Sequence, residues 1–184
     1  MRYDQLEHAI RAACDVSGDD ELLVFGSQAV LGSFPEAPEV VRASMEVDLQ
    51  PKNRPEMTDV VDGALGQESQ FHVTHGFYVH GIEISAATLP DGWFERTVRV
   101  SHPTRTLGHT GFCLEIYDLA ASKLVAFREK DRLFVATLLT EGLIDHRKLI
   151  ERLQMLRIDP VRIGNLVEWV RTIESEELER GGPS

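Results

Sequence analysis

The sequence predicts an α+β fold, in which a mixed sheet flanked by helices is followed by a helical portion. Short apolar or alternating runs, separated by turns, fill the first 112 residues. From Leu114 onward the apolar residues instead recur with a period near 3.6. We therefore expect an α/β core over residues 1–112, a helical portion packed on it over 113–175, and a flexible tail over 176–184.

The elements of the first half follow from local patterns. They are a helix with one apolar stripe over 3–14, a continuous apolar strand over 21–25, a helix over 28–31 capped by Ser27, an alternating strand over 45–49, a helix over 57–65, and strands over 71–73, 77–84 and 97–100. In the second half the helical period predicts four helices, over 118–127, 132–139, 145–156 and 161–173.

Composition excludes several classes of protein. The 184 residues are 42% hydrophobic and carry a net charge of −11, which is unfavourable for coating nucleic acid or anionic lipid. No apolar run approaches the ~18 residues of a membrane span, and the charged N-terminus is unlike a signal peptide. Two cysteines do not make a disulfide framework. We expect a cytoplasmic protein that does not act at a membrane.

The charge is nevertheless uneven along the chain. Residues 121–162 contain nine Lys or Arg side chains against six Asp or Glu, so this segment is locally basic. It could bind a phosphate-rich ligand, but a solvated helix face with mixed ion pairs is the commoner explanation of such a pattern.

Three short segments could carry chemistry. At Gly26-Ser27 a predicted strand meets a predicted helix, a turn that lets backbone N–H groups approach an anion. Such turns also occur in many proteins that bind no phosphate.

The second segment places Glu46 and Asp48 on one face of a predicted strand, as residues i and i+2 do. Two hard oxygen ligands on one face suit a divalent metal ion. Met45, Val47 and Leu49 are expected to face the core, which would fix the acids on a rigid element. An ordinary solvent-facing strand edge is the alternative.

The third segment is a predicted helix that carries Lys123, followed by Arg128 and Lys130. These bases could meet a triphosphate. Alone, the pattern equally describes a helix whose basic side chains lie along its surface and pair with neighbouring acids.

Together these segments resemble the nucleotidyltransferase superfamily with the DNA polymerase β-like fold. The matching motifs are Gly26-Ser27, Arg42-Ala-Ser-Met-Glu46-Val-Asp48, and Asp118-Leu-Ala-Ala-Ser-Lys123-Leu followed by Arg128-Glu-Lys130-Asp131. The resemblance covers about residues 20–140 and is closest to small prokaryotic members related to the AbiE-type and MenT-type toxins. In that family the first metal acid is usually Asp, where this chain has Glu46.

The resemblance implies a role for each matching residue. It implies nucleotide binding by Gly26, Ser27, Arg42, Lys123, Arg128 and Lys130, metal binding by Glu46 and Asp48, and catalytic roles for Glu46, Asp48, Lys123 and Asp131. The third carboxylate of the metal site should come from a neighbouring strand, and Glu83 is the best candidate.

The resemblance also implies an activity, namely Mg²⁺-dependent transfer of a nucleotide from an NTP to an acceptor hydroxyl, with two Mg²⁺ ions. The toxin relatives imply RNA, in particular tRNA, as the acceptor, and a cognate antitoxin as a partner. The alternative is a catalytically silent relative that acts through protein–protein contact.

Histidines and cysteines offer a competing metal site. His72, His75, His80, His102, His109 and Cys113 could suggest zinc, but their spacing fits no standard ligand pattern. We interpret these histidines as surface or hydrogen-bonded residues, and Cys113, between Phe112 and Leu114, as a buried inert thiol.

Overall fold

A five-stranded mixed sheet and its flanking helices form the first part of the chain, and helices alone form the last part. The computed structural model describes residues 1–180, except for the side chains of residues 177, 178 and 180. The strands are β1 (Glu21–Phe25), β2 (Glu46–Pro51), β3 (Tyr78–Gly81), β4 (Val98–Val100) and β5 (Thr110–Cys113). The α-helices are α1 (Tyr3–Ser17), α2 (Val30–Ser33), α3 (Thr58–Leu65), α4 (Gln70–His75), α5 (Ile116–Ala126), α6 (Glu129–Thr140), α7 (His146–Gln154) and α8 (Pro160–Arg180).

The sheet has the order β3-β2-β1-β5-β4. Strand β1 runs antiparallel to β2 and parallel to β5, β2 runs parallel to β3, and β4 runs antiparallel to β5. The core on this sheet includes Leu6 and Ile10 of α1 and Leu22 of β1, all fully buried. The predicted α+β class with a mixed sheet and a helical C-terminal portion is confirmed.

The strand predicted over 71–73 is wrong, because these residues lie in α4. Ser69 caps this helix, since its Oγ accepts a hydrogen bond from the His72 N–H at 3.2 Å. Gly76 ends the helix with φ 70°, a left-handed conformation that suits glycine.

Strand β5 has no counterpart among the predicted strands, although it lies inside the sheet between β1 and β4. Its four residues, Thr-Gly-Phe-Cys, show neither alternation nor a β-branched run. Gly111 is present because Ile10 packs against it, and a Cβ atom there would lie 2.6 Å from the Ile10 Cδ1 atom. Gly111 thus serves a tertiary contact, and its presence removes the local sequence pattern by which a strand would be predicted.

The chain divides into two compact units. The sheet unit comprises Met1–Ala87 and Phe94–Glu115, and the helical unit comprises Thr88–Trp93 and the chain from Ile116 onward. The division therefore falls three residues beyond the predicted boundary at 112, and a short earlier segment joins the helical unit. Helix α8 continues to Arg180 through the first part of the predicted tail, whose residues 181–184 lie outside the described residues.

Both cysteines are buried and unpaired. Burial raises the pKa of the Cys14 thiol and of the Cys113 thiol to about 12. The predicted burial of Cys113 is confirmed, and the raised pKa disfavours its reactive thiolate form. Within residues 1–180, no helix combines the length and the apolar character needed to cross a bilayer.

Candidate metal and nucleotide site

Two carboxylates lie side by side on β2, the strand next to the centre of the sheet. Val47 and Leu49 alternate with them and are fully buried, so Glu46 and Asp48 share the opposite face. Their side chains are 36% and 24% exposed, so both acids are fixed but accessible to an ion. Met45 was expected in the core and is instead 55% exposed, because it precedes the strand.

Strand β3 completes this face of the sheet. The parallel register sets Tyr78 opposite Glu46 and His80 opposite Asp48. The His80 Nδ1 atom lies 2.9 Å from the Asp48 Oδ1 atom and 3.2 Å from the Glu46 Oε1 atom. The Tyr78 hydroxyl donates a hydrogen bond of 2.9 Å to the other Glu46 oxygen, Oε2. One ligand atom from each of Glu46, Asp48 and His80 lies within 4.8 Å of the others.

The close packing of these groups shifts the pKa values of Asp48, His80 and Tyr78. Burial raises the pKa of Asp48 to about 6, the Glu46 charge adds to this, and the His80 hydrogen bond opposes it. Burial lowers the pKa of His80, but the hydrogen bond and charge of Asp48 outweigh that effect, so the net pKa is raised. Burial and the bond to Glu46 raise the pKa of Tyr78 to about 12, so the phenol remains a donor. A bound cation would relieve the repulsion between the two acids.

We expect the metal-free Asp48→Asn variant to be more stable than the wild type at pH 8. The native Asp48 pKa of about 6 exceeds its ordinary value of 3.8, so the native state holds this proton more tightly than the unfolded chain. The free energy of unfolding therefore falls as pH rises between those values, and the ionised acid costs about 1–3 kcal/mol above them. The variant should remove this cost.

Urea unfolding in EDTA at pH 4, 6 and 8 would measure the difference. The gain from the Asp48→Asn substitution should be largest at pH 8 and should shrink towards pH 4. Glu39→Gln, at an exposed loop position, serves as the matched control and should show no such trend. A destabilised Asp48→Asn variant at pH 8 would contradict the predicted cost of ionising Asp48.

Gly26 brings the backbone after β1 directly against this cluster. Its φ of 70° and ψ of −172° lie in a region that is essentially restricted to glycine. A Cβ atom at this position would lie 1.8 Å from the Asp48 Oδ2 atom. The resemblance implies phosphate binding here, and the structure adds a second reason for glycine, namely room for the Asp48 carboxylate.

Ser27 does not cap a helix over 28–31 as predicted. It begins a single 3₁₀ turn, Ser27–Ala29, whose N-cap is Gly26 without a side-chain cap hydrogen bond. The following α2 has only four residues, so its dipole contributes little to anion binding.

The loop before β2 is tied down by polar contacts. The buried Gln28 amide donates to the Ser44 carbonyl at 3.0 Å, and the Ser44 Oγ atom accepts from the Glu46 N–H at 3.1 Å. These bonds hold the start of β2, and with it Glu46, in place. The Arg42 Nε atom donates to the Ala37 carbonyl at 2.7 Å, so nucleotide binding by Arg42 stays a prediction.

Glu83 follows β3, just before a 3₁₀ turn over Ile84–Ala86, and its carboxylate accepts a hydrogen bond from Ser85. Among the described residues, the one cluster of three potential metal ligands contains His80 and not Glu83. The alternation of Tyr78 and His80 along β3 sets both on one face, but it does not indicate that this face adjoins the two acids. The other histidines considered for zinc join no such cluster in the described part of the chain.

The predicted basic residues form a cluster of their own in the helical unit. Asp131 is 1% exposed, and its carboxylate accepts from the Arg128 Nε atom at 2.6 Å and lies 3.4 Å from the Lys123 Nζ atom. Burial raises the pKa of Asp131, but Arg128 and Lys123 outweigh this and hold it below its ordinary value. Asp131 therefore orients both bases, while Lys130 is exposed on α6.

Comparison with known proteins identifies a family for this chain. No curated protein and no solved structure gives a significant match to the chain. Residues 4–168, most of the chain, match the model of a family described as "Nucleotidyltransferase of unknown function (DUF6036)". The chain therefore belongs to this nucleotidyltransferase family of unknown function.

Proposed function

We propose that this protein is a metal-dependent nucleotidyltransferase, which moves a nucleotide from an NTP to an acceptor hydroxyl. The observation that carries the proposal is the pair Glu46 and Asp48, fixed on one strand face with their side chains still partly exposed. Membership of a nucleotidyltransferase family supports it independently.

The donor set fits the divalent ion that this chemistry uses. Glu46 and Asp48 supply hard oxygen atoms, which suit Mg²⁺, and a small number of protein ligands leaves coordination positions for phosphate and water. When bound, the ion neutralises charge on the triphosphate and favours deprotonation of the attacking hydroxyl. Tyr78 orients Glu46 through its hydrogen bond, and Gly26 leaves room for Asp48.

In the helical unit, Lys123 and Arg128 are the proposed phosphate-binding cations, with Lys130 nearby in sequence. The Asp131 carboxylate pairs with both Lys123 and Arg128 and so orients these two side chains. Fixed positive charge stabilises a leaving pyrophosphate more effectively than mobile charge, because it needs no reorganisation during the reaction.

For the acceptor we propose RNA, with tRNA as the first candidate, and for the biological role a toxin with a cognate antitoxin. The support is the resemblance to toxin nucleotidyltransferases together with the basic segment 121–162, which offers positive charge to a phosphate backbone.

A labelling experiment tests the activity. Untagged protein is incubated with each α-labelled NTP, with Mg²⁺ or Mn²⁺, and with total tRNA or protein as acceptor. We expect label on RNA, and we expect the Asp48→Asn and Glu46→Gln variants each to lower the rate by more than about a hundredfold, because loss of supporting groups around a metal alone costs 10- to 100-fold.

The Glu39→Gln variant is the matched control, since it removes an exposed acid outside the site and should keep full activity. Label on protein would keep the chemistry and change the acceptor. An absence of both labelling and NTP binding would overturn the proposal and favour a silent module that acts through protein contacts.

A further inference from the structure

The cluster formed by Glu46 and Asp48 contains a third potential ligand, the imidazole of His80. A nitrogen ligand affects which metal ion the site prefers. The sheet register sets His80 directly opposite Asp48, so the backbone places the two residues side by side on one face of the sheet. The His80 Nδ1 atom faces one oxygen of each acid, at 2.9 Å and 3.2 Å.

These separations fit the ligands of a small octahedral ion. Donors at about 2.1 Å from an ion lie about 3 Å apart when they occupy neighbouring octahedral positions. Neighbouring ligands of a tetrahedral ion with the same bond length lie farther apart, at about 3.4 Å. The separations therefore match neighbouring octahedral positions, and the shorter one is also the length of the His80–Asp48 hydrogen bond.

The second oxygen of Glu46 is already engaged. The Glu46 Oε2 atom accepts the Tyr78 hydroxyl, so Glu46 has its Oε1 atom directed towards His80 and Asp48. One oxygen from each acid and one ring nitrogen then form a compact set of three donors. Imidazole is a good ligand for first-row transition ions, whereas Mg²⁺ is bound mainly by oxygen.

We propose that the His80 Nδ1 atom is a metal ligand and that it shifts the preference of this centre from Mg²⁺ towards Mn²⁺. The inference rests on the proposed function, since it concerns the ion that the transfer would use. It can be tested without nucleotide, so a failure of the activity and a failure of the ligand assignment are distinguishable.

The test measures binding of Mn²⁺ to untagged protein, by the loss of the free-ion signal in electron paramagnetic resonance, with Mg²⁺ as competitor. Pulsed spectra of the bound ion report a directly coordinated ¹⁴N nucleus. We expect a ¹⁴N coupling in the wild type. In His80→Asp, which restores an all-oxygen donor set, the coupling should vanish and the Mn²⁺-over-Mg²⁺ preference should fall at least about tenfold.

His75→Asn is the matched control, because His75 is an exposed histidine at the end of α4, outside the cluster. It should keep both the coupling and the preference. The wild-type spectrum keeps the test valid even if His80→Asp fails to fold. Bound Mn²⁺ without ¹⁴N coupling, no Mn²⁺ binding, or an unchanged preference in His80→Asp would each overturn the assignment. A normal coupling in a protein without transfer activity would overturn only the proposed function.

Discussion

Replacing Gly26 with alanine should abolish the proposed nucleotide transfer and weaken the proposed metal binding. The new Cβ atom would lie 1.8 Å from the Asp48 Oδ2 atom and 2.7 Å from its Cγ atom, so the carboxylate must leave its place beside Glu46 and His80. The backbone at this position also lies where non-glycine residues cost about 1–3 kcal/mol. We expect a loss of activity of at least a hundredfold, since small displacements of catalytic groups have effects of that size.

Gly76→Ala is the control for a positive-φ glycine without the clash, although its ψ of 14° is a left-handed conformation that costs other residues less than the conformation of Gly26. Gly76 has the same φ of 70°, but a Cβ atom there would meet nothing within 4 Å. This control should lose stability through strain alone, by about 1–2 kcal/mol, and keep its activity and Mn²⁺ affinity.

A double-mutant cycle completes the argument. The cost of Gly26→Ala in the free energy of unfolding should be smaller in an Asp48→Ala background, which removes the closest atoms. Equal costs in both backgrounds, or full activity in Gly26→Ala, would show that Asp48 does not depend on this glycine.

Local patterns in the sequence are sufficient where one face of an element is buried. Four of the five residues of β1 are buried, which matches its continuous apolar run, whereas part-exposed and buried residues alternate over the first four residues of β2. The same alternation sets Glu46 and Asp48 together on one face of the strand. The positions of these two acids were thus predictable from four or five consecutive residues.

The third member of the cluster was not predictable in this way. His80 lies 32 residues after Asp48, and only the parallel pairing of β3 with β2 brings them together. Parallel pairing depends on the intervening helices α3 and α4, and the residues of α4 locally resemble a strand. The spacing of the histidines along the chain therefore gives no indication that His80 joins the two acids.

Replacing Arg152 with alanine should strongly destabilise the helical unit. The Arg152 Nη1 atom lies 2.6 Å from the Asp118 Oδ1 atom, and the Asp118 side chain is fully buried at the start of α5. Loss of the guanidinium would leave a buried carboxylate without this partner. Breaking a buried ion pair from one side costs about 3–5 kcal/mol, so the midpoint of thermal unfolding should fall by roughly 10 °C.

Arg157→Ala is the matched control, because Arg157 pairs with Asp91 at 2.7 Å while 83% and 52% of the two side chains are exposed. An exposed pair is worth less than about 1 kcal/mol, so this variant should unfold close to the wild type. Adding Asp118→Asn to Arg152→Ala should recover part of the loss, since it removes the buried charge itself. Equal stability of Arg152→Ala and Arg157→Ala would contradict this prediction. It would mean that other groups in the helical unit compensate the Asp118 charge. The packing of α7 against α5 would then not depend on this ion pair.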